Sequence, residues 1–473
     1  MKTLIINPPA ERGFERSGRW PSHSSGGACQ EPLFLAYAAA VLEKNNLEVE
    51  LIDCRPDYIS QDELSEKITE GKGLAIIQTS TPSIDLDLET AKALKKKNSN
   101  LKIALVGPHP TVFDEEILEE HPDIDLILRG EYDYTVRDVA QALENDQDFK
   151  EIKGITYRDG GNIIRNEDRE YIKDLDELPF PARHFLPVNK YFEPLFIGRP
   201  TLRLISSRGC PFRCTFCMWP QLMYGRFFRA RNPIKVVDEI EHLKNEYHIK
   251  EYYFDDDTFT INPDRVAKIC DEIIRRKINL PFDCLARVDT VSPEMLKKMK
   301  EAGCMIIRYG VESGSPKILE NIRKGITVSQ IKYAFKETKK AGIKTHATMI
   351  FGLPGETKET IKETIKFVLE LDPDFAQFPI AIPYPGTEFY EEAVKNNWIR
   401  SKNFADFDAS CPSVLEYPNL TAKDISKAAK TASRKFYLRP GYIAKKVFQI
   451  RSFGEIPQLI KGAAHLVINS FSK

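Results

Sequence analysis

The chain has 473 residues, with 68 Lys or Arg against 69 Asp or Glu and a formal net charge of −1. That balance excludes a broadly basic nucleic-acid binder, because phosphate contacts need a positive excess. A hydrophobic fraction of 42% excludes a disordered chain, no apolar run approaches the roughly 18 residues of a membrane span, and about 150 residues per domain allows about three domains.

The N-terminal MKTLIINPP reads as a strand followed by two prolines, not as a secretory leader, so a cytoplasmic location is expected. Over residues 1–150, strand-length apolar runs at Leu4–Ile6, Val49–Ile52, Leu74–Ile77, Ile103–Val106 and Ile124–Leu128 alternate with amphipathic stretches. These stretches predict helices at Leu33–Lys44, Asp62–Thr69, Asp85–Lys97, Asp114–Glu120 and Tyr134–Asn145. The alternation predicts a doubly wound, Rossmann-like α/β domain whose ligand sits off the carboxyl ends of the strands. Those ends carry Asn7-Pro8-Pro9, Asp53-Cys54-Arg55, Thr79 to Ser83, Gly107 to Thr111 and Arg129-Gly130-Glu131. Two prolines after the first strand offer no backbone donors, so a nicotinamide dinucleotide is a poor fit.

Residues 151–195 read as a hairpin turning at Asp159-Gly160, then a Pro-rich linker draped over the surface. A second strand–helix series fills 196–400, with strands at Leu202–Ser206, Tyr252–Asp255, Phe282–Ala286, Met305–Tyr309, Thr345–Ile350 and Ala376–Ile380. Six such units make a partial (β/α) barrel, whose active site belongs at the C-terminal strand ends. Residues 401–473 lose the alternation and predict a helical region, basic from Arg434 onward.

Nine cysteines are present, and three bunch in the run Ser206-Ser-Arg-Gly-Cys210-Pro-Phe-Arg-Cys214-Thr-Phe-Cys217. Three thiolates on one loop can hold three irons of a 4Fe-4S cube and leave the fourth open. Structural zinc, the competing metal, prefers four closed ligands and other spacings. Cys270, Cys284 and Cys304 lie in apolar segments and read as buried small hydrophobes.

The CxxxCxxC run, with Phe216 before its last cysteine, resembles the signature of the radical SAM superfamily. There S-adenosylmethionine (SAM) chelates the open iron, and reduction releases a 5′-deoxyadenosyl radical. Four later strand-end segments are similar to the superfamily's pattern: Phe254 to Phe259, Ala286 to Asp289, Arg308 to Gly314, and Met349 to Glu356. The resemblance implies a cluster on Cys210, Cys214 and Cys217, and SAM contacts from Phe216, Asp255, Asp256, Arg287, Glu312, Ser313 and Gly352. Read without it, the three aspartates of 255–257 would equally suit a solvated turn or a magnesium site, and Arg287 and Arg308 would suit surface ion pairs.

An α/β domain ahead of such a barrel resembles the cobalamin-binding subgroup. This implies cobalamin contacts from Thr79, Ser80, Ser83, Gly107, Pro108, His109, Thr111, Gly130 and Glu131. The wider cobalamin fold supplies an axial histidine from an Asp-x-His-x-x-Gly motif, whereas here Asp53-Cys54-Arg55-Pro56-Asp57-Tyr58 puts Arg55 in that position. The cobalt is therefore expected to lack that ligand, and His109 between two prolines reads as a cofactor-edge residue.

The subgroup hosts methyl transfer to unactivated carbons and also radical cyclisation or rearrangement of lipids or tetrapyrroles. Methyl transfer to a small, hydrophobic substrate is the first expectation, with an external flavodoxin- or ferredoxin-like electron donor and no nucleic acid. A non-catalytic cobalamin or iron–sulfur sensor is the reading from another class. The apolar, Lys-rich tail over 441–468 reads first as helices that close the barrel or cover the first domain, and would also allow peripheral membrane contact.

Overall fold

The computed structural model describes residues 1–17, 19–23, 27–68, 70–193 and 198–448. Seven strands form the first sheet: β1 (Lys2–Asn7), β2 (Val49–Asp53), β3 (Gly73–Gln78), β4 (Leu101–Val106), β5 (Leu126–Leu128), β6 (Ile155–Asp159) and β7 (Asn162–Arg165). The order is β2-β1-β3-β4-β5-β6-β7. The first five strands are parallel, and strand order reverses beside β1, the usual ligand crevice of a doubly wound sheet. Ile5, Ile6, Ile76, Ile77, Leu105 and Val106 are fully buried, as expected where helices cover both faces. The helix Leu33–Lys44 buries every residue from Leu33 to Leu42, so the longest apolar run does form a core helix.

The hairpin differs from the expectation in two respects. It joins the first sheet, with β6 antiparallel to β5, because Ile155 and Tyr157 are apolar and bury against that edge. Its central turn residues are Gly160 and Gly161, both at positive φ. Asp159 pairs with Asn162 across the ladder, since a two-residue turn of this hand needs left-handed backbone at both positions.

The second sheet has six parallel strands in sequential order: β8 (Thr201–Leu204), β9 (Glu251–Phe254), β10 (Phe282–Ala286), β11 (Cys304–Glu312), β12 (Lys344–Met349) and β13 (Phe375–Gln377). β13 is shorter than expected because Pro379 cannot donate to the ladder. β11 is longer, and runs through an irregularity between Gly310 and Glu312. The helices outside this sheet announce themselves by Asn-Pro and Ser-Pro pairs. Asn232, Asn262 and Ser292 accept backbone N–H bonds as caps, each followed by proline in the first turn, where its missing N–H and fixed φ are no handicap.

Beyond the barrel, residues 401–421 are mostly irregular, and helices cover Ala422–Tyr437 and Pro440–Phe448. Among the described residues no helix is long and apolar enough to cross a membrane. The remainder of the basic tail, with Arg451 and Lys461, lies outside the described residues.

Candidate functional site

The cysteine loop leaves the C-terminal end of β8. Its neck is a two-residue antiparallel ladder pairing Arg208 with Arg229. Cys210, Cys214 and Cys217 are free thiols, Cys214 buried and the other two partly exposed. Burial and the Asp257 carboxylate push the Cys210 thiol up, and burial with Cys214 does the same for Cys217. Arg287 lies flat on Phe212 with its guanidinium carbon 3.5 Å from the ring centroid. One of its N–H groups reaches Cys214 Sγ at 4.0 Å, and Asp289 holds it from below with two bonds of 2.9 Å.

The three aspartates after β9 point to different partners. Asp255 pairs with Arg203 at 2.9 Å, and its buried Oδ1 makes no hydrogen bond but lies 3.9 Å from Arg19 Nε. Asp256 accepts from the Ser206 N–H and hydroxyl and the Ser207 hydroxyl at 2.5–2.7 Å. It locks the start of the cysteine loop and is not presented to a ligand. Asp257 accepts the Gly209 N–H at 2.8 Å and pairs with Arg19, which reaches across from the first domain. Arg19 also stacks over Trp219, 5.0 Å from the ring.

At the end of β11, Glu312 sits in left-handed backbone at φ 65°, a conformation that costs free energy in a non-glycine residue and is found where surroundings over-determine it. Its carboxylate pairs with Lys324 at 2.6 Å, both side chains being buried. Burial works against the Lys324 ammonium, but Glu312 and Cys214 together outweigh it and the pKa rises. Gly310 makes room for this pair, since a Cβ there would stand 2.4 Å from Glu312 Oε1. Ser313 bonds Thr364 at 2.9 Å. After β12, Gly352 donates to Glu356 and its carbonyl accepts from Tyr417. Phe216 is half-buried on the apolar core.

In the first domain, Thr79 and Ser83 donate to Asp87 at 2.5 and 2.7 Å, and Ser80 and Ser83 share a 2.8 Å bond. Gly107 at φ 124° packs on the Thr79 carbonyl so tightly that a Cβ would approach it to 2.2 Å. Pro108 opens a short helix that includes His109 and Thr111. Thr111 ties the Gly107 carbonyl at 2.7 Å to the Gly130 N–H at 3.1 Å. His109 is buried against Phe113 and Phe404, and burial depresses its imidazole to about 3, so the ring is neutral. Glu131 turns away from this crevice. Its carboxylate oxygens accept from Arg208 and Arg229. The two half-sites face each other, for a Cβ on Gly386 would touch both Leu222 of the cysteine loop and Val112 of the first domain at 2.6 Å.

Residues 204–368 match the model of the radical SAM superfamily, and residues 24–140 match that of the B12 binding domain. An uncharacterized methyltransferase of Pyrococcus horikoshii is 36% identical over 454 residues, 96% of each chain. The chain belongs to the cobalamin-binding radical SAM family. An anaerobic magnesium-protoporphyrin IX monomethyl ester cyclase of Cereibacter sphaeroides is 30% identical over 93% of this chain and 71% of that one. Among solved structures, the radical SAM methyltransferase TsrM of Kitasatospora setae, with cobalamin and cluster bound, matches with a TM-score of 0.69 at 18% identity, covering 90% of this chain and 84% of that one. The cobalamin-dependent radical enzyme OxsB matches at 0.68 and 19%, covering 99% and 72%. At such identities these matches show the shared fold.

This radical SAM chain is an enzyme whose cofactors are a 4Fe-4S cluster, SAM and cobalamin, acting on a small molecule with an external reductant. The residues present fit these groups. Three thiols share one loop at the barrel's catalytic end. Among the described residues, no three His, Cys, Asp or Glu side chains converge as ligands of a single ion, whereas a cube takes each thiolate on a separate iron. Gly107 and Gly130, both in positive-φ backbone and joined through Thr111, bring the ends of β4 and β5 together at the crevice without side chains of their own. Sequence reasoning missed Lys324, Asp257 and Arg19. The aspartate lay within a run already singled out, but nothing local marks Lys324 or Arg19.

Proposed function

We propose that this enzyme transfers a methyl group from SAM to an unactivated carbon of a small, polar molecule. The observation that carries the reading is the meeting of the first sheet's carboxyl ends with the cysteine loop, in a chain collinear with a methyltransferase across 96% of both lengths. Cys210, Cys214 and Cys217 are the thiolates for the cluster. Glu312, held by Lys324, and the backbone around Ser313 receive SAM. Gly107, Thr111 and Gly130 border the corrin, with neutral His109 at its edge and no imidazole from the second strand. When bound, the cluster with SAM supplies one-electron cleavage to a 5′-deoxyadenosyl radical, and cobalamin supplies a methyl carrier.

The barrel's concave face speaks for a polar substrate in place of the hydrophobic one expected. Arg203, Tyr253, Asp283, Arg308 and His346 share that face by strand alternation and register. Asp283 and Arg308 pair at 2.6 Å, burial lifts the Asp283 carboxyl to about 7, and buried His346 keeps Nδ1 unpartnered. A lipid chain would leave His346 Nδ1 and Asp283 Oδ1 buried without a hydrogen bond, which a polar substrate can supply. A flavodoxin- or ferredoxin-like protein is the proposed reductant.

The test uses anaerobic, iron-reconstituted protein with hydroxocobalamin, SAM and a strong reductant, assayed for 5′-deoxyadenosine and S-adenosylhomocysteine. Both products are expected, together with cobalamin retained through gel filtration. A full cluster that releases no deoxyadenosine refutes the radical reading. Deoxyadenosine without S-adenosylhomocysteine refutes methyl transfer.

A further inference from the structure

The loop that carries the three cysteines is pinched at its neck by the other domain. Arg208 and Arg229 stand directly opposite each other in the two-residue ladder, so two guanidiniums face one another in a buried place. A single carboxylate joins them: Glu131 takes Arg208 on Oε1 at 2.8 Å and Arg229 on Oε2 at 2.7 Å. All three side chains are only 2% exposed. The Ile172 N–H completes the Glu131 carboxylate at 2.8 Å, and Asp133 adds two bonds to Arg208 at 2.7 and 3.1 Å. Glu131 lies three residues beyond the end of β5 at Leu128, at the carboxyl edge of the first sheet where that domain's ligand crevice opens.

We propose that Glu131 is a positioning residue that fixes the cysteine loop, and with it the cluster, at a set distance and angle from the cobalamin domain. The inference rests on the functional reading above. Both ends of the loop are held by the two oxygens of one planar group, so the loop cannot tilt without breaking one of two charge-assisted bonds in a site closed to water. A residue that binds cobalamin itself would instead offer a free oxygen to the crevice, and Glu131 has both engaged. Radical cleavage of SAM needs only the cluster and the barrel. Methyl transfer from SAM to cobalamin needs the two domains in register, and Glu131 acts on that second requirement.

The test compares the full-length wild type with Glu131→Gln, and with Glu131→Asp should the first variant fold poorly. In metal-free protein, hydrogen exchange at the two stems, 207–212 and 224–230, is expected to speed up at least tenfold in both stems together. Unchanged exchange overturns the proposal. In the reconstituted enzyme, S-adenosylhomocysteine formation is expected to fall about tenfold with deoxyadenosine release within twofold of wild type and cobalamin occupancy unchanged. The magnetic coupling between reduced cluster and cob(II)alamin should broaden as their separation becomes variable. If both products fall in proportion to the folded fraction and the coupling keeps its width, Glu131 is merely structural and the proposal fails. Loss of cobalamin occupancy with unaltered exchange would make it a direct ligand, which also overturns it. Failure of the wild type to retain cobalamin sinks the functional reading, while the exchange comparison in metal-free protein still decides the clamp.

Discussion

Replacing Lys324 by Met tests the ion pair that holds Glu312 in its left-handed conformation. The substitution keeps the length of the stem and removes the ammonium 2.6 Å from the Glu312 carboxylate, where the side chains are 8% and 6% exposed. Stripping one partner from such a pair leaves a buried charge without compensation, at a cost of about 3–5 kcal/mol. For a domain of barrel size each kcal/mol moves the melting temperature by about 2–4 °C, so Lys324→Met should melt about 6–20 °C below wild type. The Lys324 carbonyl also accepts from Arg287 at 2.8 Å, and the Met variant retains that backbone contact, which confines the perturbation to the side chain. Adding Glu312→Gln removes the stranded charge, and the double variant should recover at least half of the loss. Thermal scans of the metal-free, full-length proteins read this cycle directly. A single variant as stable as wild type, or a double variant no better than the single, would refute the reasoning. In the cluster-loaded protein, both variants should bind SAM at least tenfold more weakly, because the single variant loses the ammonium that aims the carboxylate and the double variant loses the carboxylate itself.

Three further outcomes are expected. Gly107→Ala forces a Cβ to 2.2 Å from the Thr79 carbonyl in positive-φ backbone, so cobalamin retained after gel filtration should fall below a tenth of wild type while the cluster still reconstitutes; normal retention would show that this loop does not border the corrin. Burial raises the Glu356 carboxyl from 4.5 to about 8, so its stability contribution is complete below pH 4.5 and is lost as the pH climbs from there through 8, the window in which the unfolded chain ionises ahead of the folded one; Glu356→Gln should therefore melt above wild type at pH 8 and level with it at pH 4, and a gap that ignores pH would refute the assignment. Cys217→Ala should abolish cluster reconstitution and deoxyadenosine release while shifting the metal-free melting temperature by only a few degrees, and iron retained at wild-type stoichiometry would remove Cys217 from the ligand set.

The parts of the site legible in the sequence are those whose chemistry fixes a spacing along the chain. Three thiols on one loop, and small or acidic residues just after apolar runs, are local patterns, and the strands around them need only their own periodicity. Asn262-Pro263 and Ser292-Pro293, which cap two barrel helices, are local signals of the same kind. What escaped depends on partners remote in sequence. Thr79 and Ser83 look free to bind a ligand until Asp87 and, from the first loop, Arg16 claim Ser83. Glu131 reads as a strand-end ligand until Arg208 and Arg229, 77 and 98 residues away, close on it. The hairpin looked detached because two short strands carry no sign of the edge they will join. Its Gly160-Gly161 turn was an equal alternative, since Gly-Gly and Asp-Gly both satisfy a two-residue turn and only the pairing of Asp159 with Asn162 decides between them.

A net charge of −1 conceals how the charges are arranged. Arg183, Arg203 and Arg208 are among the largest fully buried side chains, and each joins segments far apart. Arg183 runs from the linker to Glu239 of a barrel helix at 2.9 Å, Arg203 ties Asp255 beside the cysteine loop to Glu31 of the first domain, and Arg208 meets Glu131 and Asp133. Buried pairs of this kind add little net stability over a well-packed apolar contact, but any shift in register strands a charge and costs several kcal/mol. An apolar interface of the same area could slide with small loss, since its attraction is non-directional. The boundary between the cobalamin-binding domain and the barrel is therefore built to hold one alignment. That is the property required of an enzyme in which a cluster on one domain and a methyl carrier on the other must act on the same molecule of SAM or substrate.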